Sequence, residues 1–317
     1  MRLDLCLCVS DVCVHGLPGI AQVFASHGHR VSLFDTCSQV LEQVPGRLRE
    51  NLQMLDLPTR HAEAVTTFCD LESAVKAADF VFEAGPEKLA IKQEIFARLV
   101  AFTSANAVLA SNTSVIPITE IAKGVPAEQR HRVLGAHWWN PAPLIPLVEV
   151  VRTADTGEQA LISTIDLLQA CGKQAVRVNR DVPGFVGNRL QHALWREAQA
   201  LISDGVCDGE TVDLVVKNSF GLRLPVFGPI ENADLVGLDL TQDIHEVVLA
   251  DLSQATGPLP ALTERVARGD LGAKSGRGFL EWPAGRQQAT RERLSAYLLD
   301  VARKRNAKPL EERHEQE

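Results

Sequence analysis

The sequence predicts an α/β protein with a doubly wound N-terminal domain followed by an all-α C-terminal domain. Three observations predict it. Short apolar runs alternate with helical periodicities to about residue 178, the order that builds a mostly parallel sheet. Strand signals stop after Asp181-Val-Pro-Gly184, and every later periodic segment is helical. The 317 residues suffice for two cores, since one core stops growing beyond about 250–300 residues.

Residues 3–9 (Leu-Asp-Leu-Cys-Leu-Cys-Val) read as the first strand. Gly19 to His27 has helical periodicity, with Gly28 placed to end it, and Arg30-Val-Ser-Leu-Phe-Asp35 reads as a second strand closing on an acid. Further strands are expected at 78–83, 107–111, 132–137, 147–151 and 175–178, with helices from about 89 to 102 and 157 to 171. Beyond the boundary, helices are expected at 185–204, 208–219, 233–252, 259–269 and 287–305. We therefore expect domains at 1–180 and 181–305, with a frayed, charged tail at 306–317.

A net charge of −8 argues against nucleic acid or an acidic membrane surface as a partner. No apolar run reaches the roughly 18 residues of a spanning helix, and the N-terminus lacks a signal-peptide core, so a cytoplasmic protein is expected. Seven cysteines without a zinc spacing fit a reducing compartment and no metal; Cys6 and Cys8 read as small strand hydrophobes near Cys13.

One stretch invites chemistry. Gly135-Ala-His-Trp-Trp-Asn-Pro-Ala-Pro-Leu-Ile-Pro-Leu-Val-Glu149 sets His137 and Glu149 twelve positions apart, each inside an apolar run. A buried imidazole beside a buried carboxylate makes a general base near neutral pH. On spacing alone, a core histidine and an ordinary strand-end charge are the favoured reading. The strand–turn–helix–strand order with a terminal acid is that of a Rossmann-type nucleotide-binding unit, yet its loop is poor in glycine. Where Gly-x-Gly-x-x-Gly should provide the tight turn and close pyrophosphate approach, the three positions fall on Val12, Val14 and Leu17; only Gly16 and Gly19 survive nearby. Asp35, about twenty residues on, stands where a carboxylate binds the ribose hydroxyls of NAD.

Seven segments in order resemble the L-3-hydroxyacyl-CoA dehydrogenase family. They are Ala78-Asp-Phe-Val-Phe-Glu-Ala-Gly-Pro-Glu-Lys-Leu-Ala-Ile-Lys92, Ala110-Ser-Asn-Thr-Ser114, Gly135 to Glu149, Asp181-Val-Pro-Gly-Phe-Val-Gly-Asn-Arg189, Phe227-Gly-Pro229, Val236-Gly-Leu-Asp239 and Gly272-Ala-Lys-Ser-Gly-Arg-Gly-Phe279. The resemblance implies reversible, NAD-dependent oxidation of a secondary alcohol β to a carboxyl or thioester carbonyl, in a homodimer joined through the helical domain. It implies that His137 takes the hydroxyl proton while Glu149 orients the imidazole and stabilises its charge. Ser114 and Asn140 match residues around the reacting oxygen, and Asn188 matches a further active-site Asn. Glu87, Lys92 and Lys274 match cofactor contacts beside Asp35; otherwise both lysines would read as solvated.

Three departures accompany the resemblance. The glycine-poor loop implies weakened cofactor binding, or a compensated frameshift between about residues 5 and 18. Asp35 to Glu87 is shorter than the helical hairpin with which acyl-CoA members hold coenzyme A, and Arg47, Arg49 and Arg60 are its arginines. Third, Phe220-Gly-Leu-Arg-Leu-Pro-Val-Phe-Gly228 places Arg223, a bidentate carboxylate binder, where small or neutral residues are usual. The last two point to a small free hydroxy acid as the alternative substrate, and the first to a non-catalytic relative as the alternative of another class. Trp138 and Trp139 are compatible with a flat substrate or with packing.

Overall fold

The computed structural model describes residues 2–8 and 17–307. Gly16 and the loop positions Val12 and Val14 lie outside the described residues, as does the tail from residue 308.

In chain order the elements are β1 (Asp4–Cys8), α1 (Leu17–Ser26), β2 (Arg30–Phe34), α2 (Ser38–Met54), β3 (Val65–Phe68), α3 (Leu71–Val75), β4 (Phe80–Glu83), α4 (Leu89–Phe102), β5 (Val108–Ser111) and α5 (Ile118–Ala122). Then come β6 (Val133–Trp138), β7 (Leu147–Val151), α6 (Glu158–Ala170), β8 (Gln174–Val178), α7 (Gly187–Ser203) and α8 (Gly209–Asn218). The last are α9 (Pro229–Val236), α10 (Leu238–Val248), α11 (Pro260–Arg268) and α12 (Arg286–Ala307).

The described strands form one eight-stranded sheet, ordered β3-β2-β1-β4-β5-β6-β7-β8. Every neighbouring pair is parallel except β6 with β7. Chain order reverses at β1, which lies between β2 and β4, and such a switch point opens a crevice at the strands' carboxyl ends. The continuous apolar runs follow from burial on both faces: β4, β5 and β6 are buried along their whole length. Two cores result. One gathers Phe24, Phe82, Trp138 and Leu161, and the other gathers Phe96, Leu109, Ile121 and Phe185.

The expected doubly wound domain and helical region are both present, and three features add to the expectation. A further strand, β3, lies at the sheet edge, where its Val-Thr-Thr-Phe sequence is only partly buried. Residues 38–54 form one long helix despite Pro45, and the expected helix at 233–252 divides at Gly237, whose φ of +102° breaks the helical path. The chain divides into two compact units: residues 190–295 form one, and the described residues before and after it form the other. That division falls later than 180/181, and the end of α12 belongs with the sheet unit. Among the described residues no helix is long and apolar enough to cross a membrane.

Candidate active site

The antiparallel return from β6 to β7 turns a spacing of twelve into direct contact. His137 and Glu149 are register partners across the two strands. Their side chains share a face, so His137 Nδ1 donates to Glu149 Oε2 at 2.8 Å, with the two residues only 4% and 1% exposed. The ring nitrogen left over, Nε2, is therefore the one available to take a proton.

Glu149 binds more than the imidazole. Its Oε1 accepts the backbone N–H groups of Val186 (2.9 Å) and Gly187 (3.0 Å), at the start of α7. Trp139 Nε1 donates to Oε2 at 3.4 Å. Burial pushes the Glu149 carboxyl up, but the hydrogen bonds from His137, Gly187 and Val186 and the charge of His137 outweigh it, holding it below the usual glutamate value. The carboxylate thus stays ionised beside the imidazole, the arrangement that stabilises a proton on the ring. Gly187 is needed for this fit, because a Cβ there would stand 2.5 Å from Trp139 Cζ2.

The loop after β5 is bound to the same centre. Asn188, next to Gly187, donates through Nδ2 to the Ser114 carbonyl at 2.9 Å. Asn112 Oδ1 accepts the Trp138 N–H at 2.8 Å, tying that loop to the end of β6. Ser114 and Asn140 are exposed, and Asn140 precedes a cis peptide bond to Pro141. The structure therefore brings together His137 with Glu149 and Ser114 with Asn188 by hydrogen bonds that meet at the neighbouring residues Gly187 and Asn188, with Asn140 two residues beyond Trp138.

On the cofactor side, Asp35 is buried just past β2, and its Oδ1 accepts the Cys37 N–H at 2.8 Å. This acid at a strand end beside the switch point fits the ribose of a dinucleotide. Glu87 accepts Thr113 Oγ1 (2.5 Å) and the N–H groups of Ser114 (3.1 Å) and Val115 (3.0 Å). Burial raises the Glu87 carboxyl, but these bonds and the nearby Lys92 charge bring it below its ordinary value.

Lys92 is not the solvated lysine it would read as without the family resemblance. It is 1% exposed, and its Nζ bonds Glu83 Oε1 (2.9 Å), Oε2 (3.2 Å) and the Gly85 carbonyl (3.2 Å). Glu83 also accepts Ser111 Oγ at 2.7 Å and the Gly85 N–H at 2.5 Å. Its ammonium is thus engaged by protein groups, and it sets the turn that carries Glu87. Sequence reading passed over Glu83, Ser111 and Thr113; the acid ending the apolar run Phe80-Val-Phe-Glu83 was the available signal. Gly19 has a packing reason to be glycine, since a Cβ there would meet Pro143 Cδ at 2.9 Å. Trp138 is core, edge-on to Phe24 and Phe82, whereas Trp139 lies beside the His137 ring at 5.4 Å between centroids.

Lys274 and Arg223 belong to the second unit, where Arg223 lines a cavity of about 210 Å³ with Phe220, Leu224, Phe227, Pro229 and Asn232.

Comparison with known proteins defines the class that this geometry suggests. The sequence model of the 3-hydroxyacyl-CoA dehydrogenase NAD binding domain matches residues 17–182, and that of the C-terminal domain matches 184–282. The first match begins after β1 and the glycine-poor loop. The chain is 31% identical over 304 residues to 5-formyl-3-hydroxy-2-methylpyridine 4-carboxylate 5-dehydrogenase of Mesorhizobium japonicum, covering 93% of this chain and 98% of that one. It is 34% identical over 282 residues to the human mitochondrial hydroxyacyl-coenzyme A dehydrogenase, covering 83% and 87%. A solved structure of the same pyridine-carboxylate dehydrogenase, described as an NAD+ dependent dismutase, superposes with a TM-score of 0.88 at 30% identity, covering 98% of this chain and 100% of that one. The (S)-3-hydroxybutyryl-CoA dehydrogenase from Ralstonia eutropha gives 0.71 at 28% identity, covering 89% and 99%. The chain belongs to the 3-hydroxyacyl-CoA dehydrogenase family, and it is an NAD-dependent oxidoreductase of that type.

Proposed function

We propose that this protein oxidises, reversibly and with NAD, a small free carboxylate substrate rather than an acyl-CoA. The observation that carries this reading is the segment after Asp35. Its described residues hold one long helix, α2, and not the paired long helices with which acyl-CoA members grip coenzyme A. Arg49 and Arg60 there are exposed, and Arg47 is spent on Gln43 at 2.8 Å. The end-to-end likeness to a pyridine-carboxylate dehydrogenase supports the same substrate class.

In this reading His137 takes the substrate hydroxyl proton on Nε2, and Glu149 holds the ring and stabilises the imidazolium. Ser114, Asn140 and Asn188 bind the reacting oxygen as charge develops on it. NAD, when bound, accepts the hydride. Asp35 holds its ribose hydroxyls, Glu87 and Lys92 shape its site through the turn they fix, and Lys274, Gly16 and Gly19 complete the contacts. Arg223 takes the substrate carboxylate, with Phe220 and Phe227 giving apolar faces for a flat ring. Residues 1–180 would form the NAD domain and 181–305 the substrate and dimerisation domain. The second unit exposes Val226, Ile230, Leu235 and Val247, each more than 70% accessible, which suits a homodimer. A cytoplasmic setting fits the free thiols Cys37, Cys69, Cys171 and Cys207.

Nicotinamide absorbance with free hydroxy and formyl carboxylates, against acetoacetyl-CoA, tests the substrate. Turnover confined to the acyl-CoA would overturn the carboxylate reading in favour of the second, a 3-hydroxyacyl-CoA dehydrogenase, which the 34% identity to the human enzyme favours. Arg223→Ala should weaken a free carboxylate by about 2 kcal/mol or more, the cost of unpairing a charged contact, and leave an acyl-CoA little changed.

A further inference from the structure

The loop from Asn140 to Pro146 joins the two catalytic strands, and three of its residues are proline. Its own bonds are few: the N–H groups of Leu144 and Ile145 reach the Pro141 carbonyl at 2.9 and 3.0 Å. Its outward carbonyls are held from elsewhere. Lys173, just before β8, donates Nζ to the Ala142 carbonyl and, at 3.0 Å, to that of Ile145. Arg305, near the end of α12, reaches the Leu144 carbonyl at 3.5 Å. The Gln174 N–H bonds the Pro146 carbonyl at 3.0 Å. On its other side the loop presses Pro143 against Gly19 of α1.

Lys173 is 6% exposed, with its Nζ 5.4 Å from the Trp138 ring centroid. Among the described residues no carboxylate pairs with it. Among the described residues, the charged or titratable groups that act on it are Arg305 from α12 and the Cys171 thiol before it, while His27 stands by the neighbouring Gly172, its Nε2 3.9 Å from where a Cβ there would be. A buried cation without a counter-ion is costly, and an apolar side chain of similar shape would be cheaper to bury. Its position, bound to the loop that carries Asn140, suits a role in the reaction.

We propose that Lys173, with Arg305 of the C-terminal helix, is a positioning residue that clamps the Asn140–Pro146 loop. The clamp fixes Asn140 at the reacting oxygen and the seat of α1 at the cofactor; it rests on the functional reading above. Burial, with help from the Arg305 charge, pushes the Lys173 ammonium down to about 7. The charged clamp is therefore complete below that pH and loosens above it.

Full-length Lys173→Met, Lys173→Arg and Arg305→Gln test the clamp. Lys173→Met should lower kcat about tenfold or more through misplacement. In the protein without cofactor, the same variant should speed hydrogen exchange at Leu144 and Ile145 and leave β6 and β7 amides unchanged. The wild type should lose kcat/KM above about pH 7; Lys173→Arg should abolish that limb, and Arg305→Gln should move it to higher pH. Unchanged loop exchange in Lys173→Met, or a limb that stays put in both other variants, overturns the proposal. Should Lys173→Met fail to fold, Arg305→Gln, whose residue is only part-buried, decides it by the same two readouts. Should the wild type turn over no substrate, the functional reading falls, and loop exchange still decides the clamp.

Discussion

At the scale of the residue, the two oxygens of Glu149 divide their work. Oε2 faces the imidazole and Oε1 holds the first N–H groups of α7, so one buried carboxylate serves chemistry and architecture together. These roles separate by experiment. His137→Gln keeps a hydrogen-bonding side chain beside Glu149 but cannot carry a proton away, so kcat should fall about 10²–10⁴-fold, the usual worth of general-base catalysis. NADH affinity by fluorescence titration should stay within about threefold, since no binding group is lost. Glu149→Gln should do more, because it also weakens the hold on α7. The Glu149 carboxyl is held below its ordinary value of 4.5, so its contribution to stability is present above that value and lost as pH falls through the folded value. Urea midpoints of wild type and Glu149→Gln should accordingly differ at pH 6 and converge as the pH is lowered below about 4. A constant difference over that range would remove the charge from the account.

At the scale of the element, legibility followed burial. β4, β5 and β6 are buried throughout because helices cover both faces, and their mostly apolar runs read plainly from sequence. β3 is half exposed and rich in Thr, and α3 and α5 span five residues each, so none has the length for a period to emerge. The His137–Glu149 pair was visible as two polar residues in apolar runs, but their contact depends on a strand reversal that spacing alone leaves open. Lys92 was legible only as a match to a family cofactor contact, its burial against Glu83 was not, and Lys173 was not legible at all. A lysine reads as surface unless its partners are known, and those partners come from the ends of other elements. The Lys92 network illustrates the energetics: β4 ends in Glu83, β5 in Ser111, and the ammonium from α4 closes the set. Lys92→Met strands the Glu83 carboxylate in the core and should cost about 3–5 kcal/mol. Glu83→Gln combined with Lys92→Met removes both charges and should recover much of that loss in thermal denaturation. Additive losses in the double variant would mean that the pair acts independently.

At the scale of the whole molecule, the sequence models of the family end at residue 282, while the chain continues into α12, whose last residues belong to the sheet unit. There Ala302 is buried, Arg303 pairs with Asp56 at 2.9 Å, and Arg305 meets the catalytic loop, so residues far beyond the family's C-terminal match contribute to the sheet unit. This arrangement has a signature in stability. Lys173 falls from its ordinary 10.5 to about 7 on folding, so the unfolded chain binds that proton more tightly than the native one. The burial cost is fully present below about 7 and fades as pH rises toward 10.5, which makes stability increase with pH through this window. Cys171 acts with the opposite sign, but burial pushes its thiol up to about 12 from 9.0, so its effect begins only near pH 9. Between pH 7 and 9 the wild-type urea midpoint should therefore rise, and in Lys173→Met that rise should vanish while the Cys171 decline above pH 9 remains. A wild-type midpoint that is flat or falling from pH 7 to 9 would show that the ammonium is not desolvated in the native state.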